Sequence, residues 1–326
     1  MSIQQLPGQE RAKQMLLNGL RSGRVSHAYI FQGPRGTGKK KAAIAFAKAL
    51  LCEGNEADSC GDCLSCRKVD SGNHTSITQI APDGASVKID QIRELQKQFA
   101  YRNASGSERQ IYIVQDADTM TTQAANSLLK FFEEPGSSIV AILIAENGQA
   151  LLPTIRSRAQ SIPFVPLSPQ EMAPVLIAEG LPIPIVQAAV RLAAGLEGAR
   201  ELAQLNWFAE IRNVMIQLAK ECSDKVQTAL LTAQQQLVKS ELTEHVDTLL
   251  DLFILWFKDM VHMQWNKKES IVFIDQADYL AAQAFKRETG DWVDCMRSAM
   301  EARKRLSAHA NAQLTVDRFL LSLERR

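Results

Sequence analysis

Three runs dominate the hydrophobic pattern of the first half of this 326-residue chain: "AYIFQG", "QIYIVQDA" and "SIVAILIAEN". Each is apolar without a break over four or more positions, as expected of strands covered on both faces, and so of a parallel sheet. Between them the period changes. In "KKAAIAFAKALL", Ala43, Phe46, Ala47 and Leu50 recur at i, i+3, i+4 and i+7, which predicts a helix directly after the first strand. In "MTTQAANSLLKFFEEPG", Ala125, Leu128, Leu129 and Phe132 mark one helical face, and Pro135-Gly136 ends it, giving a crossover helix between the other two strands.

Pro163, Pro166 and Pro169 fall close together, and after them β-branched runs become rare. A domain boundary is expected there. Residues 166–206 read as a small helical domain broken by Gly195 and Gly198, and residues 207–326 as long amphipathic helices closing into a bundle. Within that bundle Trp256, Phe257, Met260, Met263 and Trp265 form a stripe whose spacing favours core over an exposed partner surface. The fold class that follows is an α/β domain with a parallel sheet and flanking helices over residues 1–165, then two all-α parts. No internal repeat or low-complexity tract interrupts it.

Composition narrows the functions. Hydrophobic residues make up 46% of the chain, enough for globular cores of more than one domain. Lys plus Arg, at 37, nearly cancels Asp plus Glu, at 36, so no whole-molecule field draws the protein to DNA or to an acidic membrane. The N-terminus "MSIQQLPGQERAKQ" lacks the basic and apolar run of a signal peptide, and no stretch reaches the roughly 18 apolar residues of a membrane span. A cytoplasmic protein with no membrane partner is expected.

The first strand runs into "GPRGTGKK", residues 33–40, which follows the phosphate-loop pattern G-x-x-x-x-G-K-[ST] up to its last position. In such a loop Gly33, Gly36 and Gly38 let backbone N–H groups close around phosphate with Thr37 between them, and Lys39 reaches the terminal phosphates. The final hydroxyl, which holds Mg²⁺, is replaced by Lys40. The second strand ends at Asp116, where a metal-binding carboxylate belongs, but Ala117 stands where a water-activating Glu is needed, and Asp118 comes one residue late. Autonomous ATP hydrolysis is therefore not expected. Binding of ATP or ADP without hydrolysis stays open, because Lys39 and the loop amides remain and Lys40 adds charge.

Residues 52–66 hold the second chemical motif. Cys60, Cys63 and Cys66 stand at C-x₂-C-x₂-C spacing with Cys52 ahead of them, an arrangement that turns four thiolates toward one tetrahedral ion and leaves no open position. A structural Zn²⁺ is the reading, with an iron–sulfur cluster or unligated thiols as rivals. Cys222 and Cys295 stand alone in helical patterns and read as small buried apolar residues.

Taken together, "PGQERAKQMLLNGLRSGRVSHAYIFQGPRGTGKKKAAIAFAKALLC", the cysteine module, "NSLLKFFEEP" and "LLPTIRSRAQ" resemble the bacterial DNA polymerase III clamp-loader family of the AAA+ class. That resemblance is strong over the first 165 residues and moderate over the segment after them. It implies an AAA+ P-loop domain, a helical lid and a C-terminal collar. It also implies a place in a hetero-pentamer with gamma/tau motor subunits and a delta subunit, acting on a sliding clamp and primer-template DNA. Within the family, the member with degenerate ATPase motifs is a rigid stator, which agrees with Lys40 and Ala117.

The family's S-R-C motif is matched by Ser157 and Arg158 followed by Ala159, which makes Arg158 the implied arginine finger, acting in trans on a neighbour's nucleotide; an ordinary solvated turn carrying Arg156 and Arg158 is the plain alternative. Other family positions fit less well. The polar residue at the end of the third strand would be Glu146 or Asn147, the lid arginine falls at Ala199 with Arg200 beside it, and His27 matches a position near the nucleotide loop or serves as a structural hydrogen-bonding residue. Two other classes compete with a non-motor assembly protein. One is an active AAA+ ATPase, which would need another acid to replace Ala117. The other is a zinc-dependent nucleic-acid binder, against which the lack of a basic, aromatic-rich helix after the cysteines argues.

Overall fold

The computed structural model describes residues 1–55, 57–103, 109–133, 139–238 and 241–324. The chain forms two compact units, Met1–Glu171 and Met172–Arg326. In the first unit, helices α1 (Glu10–Arg21), α2 (Lys39–Leu50), α3 (Leu64–Asp70), α4 (Ile89–Asn103), α5 (Thr122–Glu133) and α6 (Pro153–Arg156) surround strands β1 (Ala28–Gln32), β2 (Ile77–Ile80), β3 (Gln110–Val114), β4 (Ile139–Ala145) and β5 (Gln160–Pro163). The sheet has the order β2-β3-β4-β1-β5, and every pairing in it is parallel.

The three expected strands are its centre. Alternate residues of each feed two cores, as a period of two requires. Tyr29, Phe31, Ile111, Ile113, Val140 and Ile142 meet α1 and α2 through Leu16, Ala43, Phe46 and Ala47. Ile30, Tyr112, Val114 and Leu143 meet α4 and α5 through Ile92, Leu95, Ala125 and Leu128. Both faces being dry is why these strands carry no polar alternation.

Sequence reasoning missed β2 and β5. Both are four-residue edge strands, "ITQI" and "QSIP", with Gln79, Gln160 and Ser161 exposed. An edge needs only partial burial, so no apolar run marks it, and Pro163 is tolerated there because an edge strand can spare an N–H. The expected helical termination at Pro135-Gly136 and the side chain of Phe132 lie outside the described residues.

The second unit contains α7 (Pro169–Ala178), which starts in the first, then α8 (Ile183–Leu192), α9 (Gly195–Gln204), α10 (Asn206–Asp224), α11 (Val226–Ala233), α12 (Val246–Gln264), α13 (Ala277–Ala284), α14 (Thr289–Ser307) and α15 (Ala312–Ser322). The boundary expected at 165 is drawn at 171 instead. A further boundary at 206 does not separate two cores: Ala188 and Ala189 of α8 belong to the same apolar cluster as Phe208, Ile211, Phe253, Trp256 and Phe319. Trp256, Phe257, Met260 and Met263 are buried as the stripe predicts, whereas Trp265, past the end of α12, is 59% exposed. Cys295 is buried and Cys222 half-buried, and burial pushes the Cys222 thiol up to about 12. Among the described residues no helix is long and apolar enough to cross a membrane.

A carboxyl sits deep in the helical core. Asp259 of α12 is fully buried, and its Oδ2 accepts hydrogen bonds from the N–H groups of Val272 and Phe273, each at 2.9 Å. It thereby pins the segment that places Phe273 edge-on to Trp256, 5.1 Å between ring centroids. Burial outweighs those bonds and the nearby charges of Arg191 and Lys258, raising the carboxyl from its ordinary 3.8 to about 6.

Between those two values the folded chain holds a proton that the unfolded chain has released, so the stability contributed by the neutral acid is present at low pH and lost as pH rises through about 6. Urea unfolding of Asp259→Asn should accordingly change less between about pH 4.5 and about pH 7 than unfolding of the wild type. Equal slopes would mean that Asp259 is ionised in the folded chain throughout.

Candidate functional site

The phosphate loop leaves the C-terminal end of β1, the strand fourth from one edge of the sheet and second from the other. Gly33 begins it by donating its N–H to the Ala145 carbonyl at 3.2 Å. A Cβ on Gly33 would lie 2.2 Å from the Phe164 carbonyl oxygen, so this turn has room for glycine alone. Gly36 and Gly38 take φ of 75° and 81°, the left-handed region, and Gly38 then opens α2.

Within the loop the polar groups satisfy one another. The ammonium of Lys39 donates to the carbonyls of Gly33 and Pro34, the latter at 2.6 Å. Its pKa is lowered by burial, against the opposing pull of Glu146, Asp118 and Asp116. Thr37 donates its hydroxyl to the Pro34 carbonyl at 2.9 Å. Arg35 forms an ion pair with Glu146 at the end of β4, the leading reason its guanidinium is raised. Lys40 is exposed one position further along.

The carboxylates sit at the ends of the neighbouring strands. Asp116 follows β3 in a left-handed conformation, φ 46°, and acts electrostatically on both Arg35 and Lys39. Ala117 is buried at 1% exposure against the sheet, so the position of a water-activating acid is filled by a methyl group. Asp118, one residue further on, accepts through Oδ2 from the N–H groups of Glu146 and Asn147, both at 3.0 Å, and ties the β3 loop to the β4 loop.

Arg158 lies in the turn between α6 and β5, exposed, with Nη1 donating to the Thr154 carbonyl at 3.3 Å. Ala159 is partly buried against the core, so the third motif position is used for packing. His27 is exposed and precedes β1, whereas the loop follows it; the five residues of the strand, about 16 Å of extended chain, separate them. In the second unit Ala199 is buried, and Arg200 is held by Glu179 at 2.6 and 2.7 Å and by Glu197 at 2.6 Å, an internal ion-pair group.

The four cysteines come together. Cys52 follows α2, Cys63 caps the N-terminus of α3, and Cys66 lies in its first turn; the four Sγ atoms all lie within 4.8 Å of one another, a cluster able to hold a metal ion. Backbone N–H groups support three of the sulfurs: Cys60 donates to Cys52 at 3.3 Å, Cys63 to Cys60 at 3.4 Å and Cys66 to Cys63 at 3.4 Å. Such bonds from Cys66 and Glu53 pull the Cys63 thiol down to about 6, while burial pushes Cys66 up to about 12.

Sequence reasoning missed the residues that join these parts. Gln9, itself at φ 60°, donates from Nε2 to the carbonyls of Thr37 at 3.3 Å and Val165 at 2.7 Å and accepts from the Val165 N–H at 3.1 Å, clamping the loop to the exit of β5. Asp58, buried within the cysteine module, accepts from the N–H groups of Ile3 at 3.1 Å and Gln4 at 3.2 Å. Neither residue has a local signal, since its partners are distant in the chain.

The family described as DNA polymerase III, delta subunit matches residues 8–168. DNA polymerase III subunit delta' of Bacillus subtilis is 33% identical over 97% of this chain and 96% of its own length. The delta' subunit of Pseudomonas aeruginosa is 31% identical over 72% of this chain and 70% of its own. The gamma/tau subunit of Mycobacterium bovis is 37% identical but spans only 54% of this chain and 30% of its own length. Sharing a third of its positions along nearly its whole length with one of them, the chain belongs to the family of DNA polymerase III delta' subunits.

Proposed function

We propose that this protein is a non-hydrolysing stator of the DNA polymerase III clamp loader. It assembles with gamma/tau motor and delta subunits in a hetero-pentamer and donates Arg158 to a neighbour's nucleotide while a sliding clamp is placed on primer-template DNA. The observation that carries the reading is the phosphate loop turned upon itself. Lys39 hydrogen-bonds to Gly33 and Pro34 of its own loop, Arg35 is paired with Glu146, and Asp118, the acid nearest the missing base, is spent on backbone N–H groups.

Hydrolysis needs a hydroxyl on Mg²⁺ and a base on water. Lys40 and the buried Ala117 supply neither. Phosphate can approach the Gly36 and Gly38 amides, yet Lys39 must leave two carbonyls to meet it, and Glu146 repels the same charge. ATP or ADP bound here would serve as a structural ligand.

Arg158 carries the remaining chemistry. It is exposed on a short turn anchored by the buried Ile155, and a guanidinium brought to a γ-phosphate stabilises the charge that develops in transfer. The cysteine cluster is assigned Zn²⁺. A Zn–S bond of about 2.3 Å sets tetrahedral sulfurs about 3.8 Å apart, and the Cys60–Cys66 separation is 3.9 Å. Four thiolates close the coordination shell, so the ion is structural.

Two measurements test this. In a clamp loader reassembled with gamma/tau, delta, clamp and primed DNA, Arg158→Ala should lower ATP turnover at the adjoining site by about a thousandfold and so reduce the total rate, while Lys39→Ala leaves it unchanged. Activity of the isolated chain that Lys39→Ala abolishes would make it a motor instead. Separately, metal analysis of the purified chain should find zinc, and Cys63→Ser should lose it together with several degrees of thermal stability. Iron in its place, or no metal, would overturn the assignment.

A further inference from the structure

Two adjoining turns of the helical unit present aromatic rings that neither the core nor the motifs above use. α12 ends at Gln264, and Trp265-Asn266-Lys267-Lys268 leave it through a turn in which Asn266 takes φ 55°. α13 ends at Ala284, and Phe285-Lys286-Arg287 form the second turn. Gln264 joins them: its Nε2 donates to the carbonyls of Ala284 at 2.7 Å and Arg287 at 2.8 Å, and its Oε1 accepts from the Thr289 hydroxyl at 2.6 Å.

The geometry of the patch is therefore held by a buried-side amide and by backbone, not by the rings it displays. Trp265 is 59% exposed and Phe285 71%. The Lys267 ammonium lies 5.4 Å from the Trp265 ring centroid, and Lys268 and Lys286 are exposed beside the two rings in sequence. Of the neighbouring acids, Glu288 and Asp291 are engaged in a reciprocal cap at the start of α14 and Asp294 is paired with Arg297 at 2.7 Å, while Glu324, which lines the same hollow as Lys286, and Glu269 in the first turn are exposed.

We propose that this two-turn surface binds single-stranded nucleic acid, with bases stacked on Trp265 and Phe285 and phosphates met by Lys267, Lys268 and Lys286. Flat exposed rings interleaved with cations are the chemistry of sequence-tolerant single-strand binding, because every base has a face to stack and every nucleotide a phosphate. A duplex hides its base faces. An acidic peptide would engage the lysines and leave the rings in water. The near balance of charge over the whole chain makes any such contact local. The inference goes beyond the stator reading and uses none of its residues.

The test is fluorescence anisotropy of a labelled oligothymidylate of about 16 nucleotides, and of a duplex of equal length, titrated with the full chain over a range of salt. Single strands should be preferred. Trp265→Ala and Phe285→Ala should each weaken binding about tenfold, Trp265→Phe should retain most of it, and each lysine replaced by Ala should lower the salt slope by about 0.7. Unchanged thermal unfolding of the variants would separate lost binding from lost fold. The proposal is overturned if the wild type does not bind, if duplex binds equally, or if the alanine variants bind like the wild type. It is also overturned if they lose only their hold on other clamp-loader subunits, which would make the patch a protein contact. ATP turnover that depends on Arg158 is unaffected by any of these outcomes.

Discussion

The in-register parallel pairing of β1 with both of its neighbours decides where every candidate group can stand. Gln32 lies opposite Ala145 on β4 and Pro163 on β5, so the three strands end together. Gly33, Glu146 and Phe164 are the next residues of each, and they meet: Gly33 bonds to β4, packs on Phe164, and starts the turn that brings Arg35 to Glu146. The β3–β4 pairing, with Val114 opposite Leu143, carries Asp116 and Asp118 to the same edge. Parallel sheets collect loops at their carboxyl ends in this way, and one slip of register would scatter them.

At that edge the loop's charges are met by the protein's own atoms. A phosphate loop built to receive nucleotide offers free N–H groups and an ammonium to an incoming anion. Here Lys39 and Thr37 donate to loop carbonyls, Arg35 is matched by Glu146, and the β3 and β4 loops are tied by Asp118. Each bond is individually modest. Their joint effect is to hold the loop's shape without an outside anion.

Legibility in the sequence followed the range of the interaction. The buried strands and α2 announce themselves because both sides of each strand face apolar helices, and the cysteine cluster does so because its ligands lie within residues 52–66. The edge strands β2 and β5 do not, since each is only partly buried. Arg35 and Glu146 are 111 residues apart, and Gln9 and Val165 are 156 apart, so only the folded sheet reveals them as partners. Trp265 differs from Met263 by two positions, yet one is exposed and the other buried. The helical period that predicted both as one stripe stops at Gln264, and nothing in the pattern marks that stop as sharply as the left-handed Asn266 does.

The cysteine module and the phosphate loop are linked through the N-terminal segment. Asp58 holds the N–H groups of Ile3 and Gln4, and Ile3 and Leu6 enter the core beside α1. Gln9 then stands at the start of α1 and bonds to both Thr37 and Val165. On the other side Lys48, buried in α2, pairs with Asp70 at the end of α3, so the helix that begins at the loop is also braced by the module. The strands are held by their own ladders whatever the cysteines do. Order imposed at residues 52–66 therefore reaches the loop through the N-terminal segment and α2. The module can in this way set how firmly the loop is held.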